Sequence, residues 1–144
     1  MSPLRAPYAL TIAALATALA ARASAQPRAA APMRLVGVTA HGPLRPAAVR
    51  TGLQRATGAL LACPMSGFSP RNQLRVAILI DATGRAFRTR VLDEDGVPFA
   101  TSRCFAERLQ AAPFASSRTN EVTAVEARWT FSVRRPVASE FESF

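Results

Sequence analysis

The 144-residue chain has no lysine, a single histidine, a single tryptophan, a single tyrosine and two cysteines. Each scarcity removes a class of chemistry. One His and two Cys cannot by themselves build a metal cage that needs four such ligands. The two cysteines lie far apart and form no Cys-x-x-Cys, the usual spacing of a catalytic redox pair. Any Ser/His/Asp or Cys/His site would have to use His41, with Ser66, Ser69 or a reduced cysteine as nucleophile. His41 sits in a His-Gly-Pro turn and no nucleophile-elbow pattern occurs, so it reads as a surface turn residue. Asp93-Glu94-Asp95 lacks the spacing of a calcium loop and reads as a solvated turn. No catalytic, metal or cofactor site is therefore expected, and the chain does not read as an enzyme.

Every base is arginine: 18 Arg face 9 acids, for a formal net charge of +9. With 49% hydrophobic and 19% charged residues, the balance is that of a folded domain, and 7 Gly and 11 Pro are too few for a low-complexity chain. The length allows one domain, or one domain and a tail.

The N-terminus has the layout of a secretory signal peptide. Arg5 supplies the positive n-region, Ala9 to Ala21 is an uncharged apolar run, and Ala23-Ser24-Ala25 is a small-x-small cleavage site. As a helix that run spans about 20 Å, short of the roughly 30 Å hydrocarbon core of a bilayer. Cleavage after Ala25 is expected, leaving residues 26–32 as an Ala/Pro-rich flexible leader and no stable membrane span. The destination is the periplasm or the exterior. Nucleic acid is not an expected partner of an exported chain with no aromatics interleaved among its arginines. In an oxidising compartment, Cys63 and Cys104 are expected to form a disulfide.

Hydrophobic periodicity organises residues 33–135 into one domain, followed by a tail at 136–144. Met33 to Ala40 suits a strand. From Pro46 onward, Val49, Leu53, Ala56, Leu60 and Cys63 fall on one helical face. Gly52 and Gly58 each weaken that helix by about 1 kcal/mol relative to Ala. Leu74 to Ile80 alternates as a strand, and Asp81-Ala82-Thr83-Gly84 reads as a hairpin turn with Gly84 left-handed. The return strand runs from Ala86 to Leu92, with Phe87 and Val91 on its apolar side and Arg88 and Arg90 opposite. A second helix covers about Pro98 to Ala112, with either Pro98 as its first residue or Thr101 as N-cap, and carries Cys104, Phe105, Leu109 and Ala112 on one face. The last strand, Val122 to Val133, turns Val125, Ala127, Trp129, Phe131 and Val133 inward. The order β-α-β-β-α-β implies an α+β two-layer sandwich, with a small, mainly antiparallel sheet and two helices on one face.

The run Gly37-Val38-Thr39-Ala40-His41-Gly42-Pro43-Leu44, the helix ending at Cys63, the Asp81-x-x-Gly84-Arg85 hairpin, the helix holding Cys104, Pro113-Phe114 and the aromatic final strand together resemble a TonB C-terminal-like domain. The resemblance is closest to the AgmX/PglI-type C-terminal domains of envelope and gliding-motility proteins, and covers about Leu35 to Val133. Pro64-Met65 stands where those domains usually carry an aromatic residue after the first Cys. The resemblance implies a protein-interaction module of the cell envelope, without the anchor and Pro-rich linker of the TonB proteins.

Two binding surfaces follow as expectations. The first is a sheet edge that pairs with an extended segment of an envelope protein or with a second copy of the chain. The last strand, with Glu126, Arg128, Thr130 and Ser132 facing out, is the candidate edge, and the Phe141-Glu142-Ser143-Phe144 tail is a candidate cover for it. The second is a basic sheet face of Arg75, Arg88, Arg90 and Arg128 for anionic envelope polymers, diluted by Glu126.

Overall fold

Residues 32–133 are described by a computed structural model. The expected signal peptide, the leader up to residue 31 and the tail lie outside these residues. The elements are β1 (Met33–His41), α1 (Pro46–Leu61), β2 (Leu74–Ile80), β3 (Ala86–Asp93), α2 (Phe99–Ala111) and β4 (Thr123–Phe131). The fold is α+β, with one four-stranded antiparallel sheet and both helices packed against one of its faces.

The periodicities explain the packing. In β2, Leu74, Val76, Ile78 and Ile80 are each 0% exposed while the residues between them are half-buried. In α1 the stripe Val49, Leu53, Ala56 and Leu60 is buried, and Cys63 continues it just past the helix end. In α2, Phe105 and Leu109 are buried, and the Phe105 ring meets Trp129 and Phe131 edge-on at 5.6 Å each. Such edge-to-face contacts add about 0.5–1.5 kcal/mol beyond the area they bury. Phe68, from the loop after α1, stacks on Phe131 at 4.4 Å.

Gly52 has a packing reason to interrupt a helix. A Cβ there would lie 2.5 Å from Cδ1 of Phe114, so its absence lets that ring close against α1. Gly84 has φ 85° and terminates the hairpin turn as expected. Asp81 organises the same turn: its Oδ1 accepts from the Thr83 hydroxyl at 2.6 Å, the Thr83 amide at 2.9 Å and the Arg85 amide at 3.0 Å.

Cys63 and Cys104 are disulfide-bonded with Cα atoms 5.8 Å apart. The bond joins the end of α1 to the middle of α2. The far end of the sheet is closed by a side chain rather than by backbone. Asn72 Nδ2 donates to the Phe131 carbonyl and its Oδ1 accepts from the Phe131 amide, so one amide side chain stands in for a ladder residue beyond Leu74.

The strand order is β1-β4-β2-β3, which corrects the expected position of the last strand. β4 is interior. β1 pairs along one side of it, from Met33↔Phe131 to His41↔Ala124, and β2 along the other, from Leu74↔Trp129 to Ile80↔Thr123. Glu126, Arg128 and Thr130 therefore lie mid-sheet and offer no free backbone edge. Ser132 lies beyond the strand end, where its amide donates to the Pro32 carbonyl at 2.9 Å. The reason is burial: the inward row of β4, centred on Ala127 and Trp129, is at most 6% exposed, and Phe105 of α2 packs on Trp129 and Phe131. β1 and β3 hold the free edges.

Three smaller expectations also change. A bulge sets Ala86 opposite Ile80 and Arg88 opposite Leu79, leaving Phe87 unpaired and 45% exposed rather than on the apolar face. Val133 falls past the end of β4 and is exposed. Pro98 is the N-cap of α2, and Thr101 lies inside the helix, where its hydroxyl donates to the Pro64 carbonyl at 2.7 Å.

Candidate functional site

The helices leave one face of the sheet open, and the strand register gives its layout, because directly paired residues project to the same side. One cross-strand row runs His41, Ala124, Leu79, Arg88; the next runs Thr39, Glu126, Ala77, Arg90; a third runs Gly37, Arg128, Arg75, Asp93. Arg34, opposite Thr130, adds a further charge. The four expected arginines thus do share a face.

They are not equivalent. Arg75 is tied to Glu126, with Nη2 2.9 Å from Oε1 and Nε donating to the same oxygen at 3.0 Å. Arg88, Arg90 and Arg128 make no ion pair among the described residues. Arg88 and Arg90 are both exposed and both belong to β3, the edge strand next to β2.

Beside that edge, on the helix side, lies a groove that periodicity alone did not reveal. Its volume is about 360 Å³, and it is lined by Val91, Leu92, Asp93, Glu94, Phe99, Ser102, Arg103 and Ala106. Phe99 is 68% exposed and Leu92 44% exposed, the former the most exposed large apolar residue among those described. A second bulge produces the Leu92 exposure: Val76 pairs with Val91 and Arg75 with Asp93, so Leu92 is left over. The signal available in the sequence was Phe99 itself, which lies off the stripe of Phe105 and Leu109.

The polar groups of the groove are engaged. The Ser102 hydroxyl donates to Glu94 Oε2, and Arg103 pairs with Glu107 one turn on at 3.2 Å. Gln73 donates to Asp93 at 3.4 Å. Among the described residues no cluster of three or more His, Cys, Asp or Glu is placed to hold a metal ion. His41 is exposed at the end of β1. Among those residues no helix is long and apolar enough to cross a membrane.

The other free edge is interrupted differently. β1 is bulged in mid-strand, where the register slips between Leu35 and Gly37 and Val36 is left unpaired. Bulges of this kind twist an edge away from further pairing. The bulges of β3 lie towards its two ends, and Arg88 to Val91 keeps a regular register.

Compared with known proteins, the chain matches no family model, no curated protein and no solved structure.

Proposed function

We propose that the chain is an exported, non-catalytic interaction module of TonB C-terminal-like type that pairs an extended segment of a cell-envelope protein along the free edge of β3. One observation carries the reading: the unpaired edge of β3 ends beside a concave groove whose apolar lining includes Val91, Leu92 and Phe99. Main-chain hydrogen bonds to an edge supply affinity, and pockets for alternate side chains supply specificity. Val91, Leu92 and Phe99 provide such a pocket beside β3. The Cys63–Cys104 bond fits an oxidising compartment, in line with the signal-peptide pattern that leads to the periplasm or the exterior.

The test is photo-crosslinking in intact cells with a crosslinking residue at Leu92 or Phe99, and at Val36 on the opposite edge as a control. The expected result is an envelope-protein adduct from the first two positions and none from Val36. The crosslinked segment, made as a peptide, should bind the purified chain and lose at least about tenfold in affinity with Phe99→Asp, the size of effect expected for a buried anchor. Equal crosslinking from Val36, or binding indifferent to Phe99→Asp, refutes the reading.

A second reading has its own observation. Arg88, Arg90 and Arg128 make no ion pair among the described residues and stand on a helix-free face, as a binder of anionic envelope polymers would need. Polymer binding would weaken steeply as salt rises, whereas strand pairing would change little. Arg88→Glu would then outweigh Phe99→Asp.

A further inference from the structure

We infer that the segment taken up by the β3 edge is acidic: an apolar residue followed directly by an acid, then any residue, then a second acid, running antiparallel to β3. The inference rests on the β3 edge being the pairing surface and names the chemistry of its partner.

The ladder of β2 fixes which groups of that edge are free. Just before β2 the Gln73 amide donates to the Asp95 carbonyl at 2.8 Å, and just after it the Asp81 amide donates to the Arg85 carbonyl at 2.9 Å. Alternate residues between these two, Ala77 and Leu79 among them, therefore turn their backbone groups towards β3. Ala77 is opposite Arg90 and Leu79 opposite Arg88. The backbone groups of Arg88 and Arg90 are thus bonded to β2, and those of Thr89 and Val91 point outward. A strand added there would bond to Thr89 and Val91. It would meet Arg88 and Arg90 in the non-hydrogen-bonded pairs, where Cα atoms are about 4.5 Å apart and side chains come closest.

Side-chain direction then sets the register. Arg88 and Arg90 project from the open face, both exposed and without an ion pair among the described residues. Thr89 projects to the helix side, where its hydroxyl donates to the Ala106 carbonyl at 2.9 Å, and Val91 lines the groove with Leu92 and Phe99. Along an antiparallel partner, the positions opposite Val91, Arg90, Thr89 and Arg88 follow one another. The first faces the groove and suits an apolar side chain. The second and fourth face the two guanidinium groups and suit carboxylates. The third faces α2. One register makes all of these contacts. A slip of two residues towards the end of β3 brings an acid up to Asp93, which shares the open face, and like charges oppose it.

Other occupants fit worse. Antiparallel β3–β3 pairing of two copies about Thr89 would set Arg88 against Arg90 twice, and like charges directly opposite are destabilising. A polyanion lying across the open face would need a continuous row of cations. Arg75 is held by Glu126, and Arg128 stands two strands in from Arg88 and Arg90, about 10 Å away.

The test is NMR titration of the purified chain with three synthetic peptides of equal length, flanked by threonines. The first carries leucine, aspartate, threonine and glutamate in succession. The second carries leucine, threonine, aspartate, threonine and glutamate, which puts the leucine and both acids on one side of a strand. The third is the first with lysine for both acids. The expected result is shifts of the Thr89 and Val91 amides with the first peptide, at an affinity at least about fivefold above the other two, the size set by two opposite-charge cross-strand pairs. Combining Arg88→Glu with Arg90→Glu should invert the order, so that the lysine peptide binds better than the first; unchanged Trp129 fluorescence verifies the fold. Equal affinity for the first two peptides at the β3 edge overturns the register. Equal affinity for the acidic and lysine peptides, or an order that does not invert in the double variant, overturns the acidic partner. In these cases the pairing surface stands. If no peptide shifts the Thr89 and Val91 amides, the pairing surface fails and the inference fails with it.

Discussion

The same substitution at two glycines of α1 should have opposite effects. A Cβ at Gly58 meets no heavy atom within 4 Å, so Gly58→Ala changes only helix propensity. That stabilises by about 1 kcal/mol, which raises the melting temperature by about 4–8 °C in a domain of this size. Gly52→Ala carries the same propensity gain but drives its Cβ to 2.5 Å from Cδ1 and 3.1 Å from Cε1 of Phe114. Ordinary contact needs the ring to retreat by about 1 Å, since carbon atoms pack at about 3.5–4.0 Å. Phe114 is poorly placed to retreat. It is only 9% exposed, and its amide donates to the Gly84 carbonyl at 2.9 Å, which ties its backbone to the hairpin. Overpacking of this kind costs about 1–3 kcal/mol, so after the propensity gain the net change is a loss of up to about 2 kcal/mol. Urea denaturation followed by Trp129 fluorescence measures both, because that single Trp is 2% exposed in the folded protein. Combining Gly52→Ala with Phe114→Ala removes the obstacle, and in that background the alanine should stabilise. Equal stabilisation by the two single changes would show that Phe114 does not press on α1, and the reasoning would fail.

Three further outcomes are expected. Reducing the Cys63–Cys104 bond, or replacing both cysteines with Ser, should cost about 4 kcal/mol in the chain-entropy account, because the bond closes a long loop; denaturation with and without reductant measures this. Asn72→Ala leaves the Phe131 amide and carbonyl without the side chain that pairs both, and should cost about 1–3 kcal/mol by equilibrium unfolding, with β4 exchanging faster at its Phe131 end. The hydrogen bond from the Thr83 hydroxyl, then that from the Arg85 amide, holds the Asp81 carboxyl below its ordinary value of 3.8. A depressed carboxyl stabilises the folded state above its unfolded pKa, and that contribution is lost as pH falls through the folded value. Asp81→Asn, which keeps the acceptor and does not titrate, should therefore lose less stability than the native chain in acid, and parallel acid-unfolding curves would contradict the turn geometry.

Residue order alone was enough to identify the six elements and the inward faces of most of them, though not the place of Phe87 or Val133. Alternation in Leu74–Ile80 and the stripe Val49, Leu53, Ala56, Leu60 are local consequences of burying one side of a strand or helix, and both faces are buried as expected. Gly84 was legible because its turn needs a left-handed residue, and the disulfide because the signal-peptide pattern leads to the expectation of an oxidising compartment and the sequence holds only two cysteines. The arginine face was legible too, since alternation separates it from the core. Which strands lie side by side was decided by tertiary structure. Ladder hydrogen bonds join backbone groups that every residue carries, so the pattern of β4 states which way Trp129 points but not that β1 and β2 flank it. The bulges that expose Phe87 and Leu92 are likewise a property of two paired strands and of neither alone. The groove at Phe99 exists because α2 crosses next to the edge that this order leaves open, and a position between two non-adjacent segments has no counterpart in the periodicity of either.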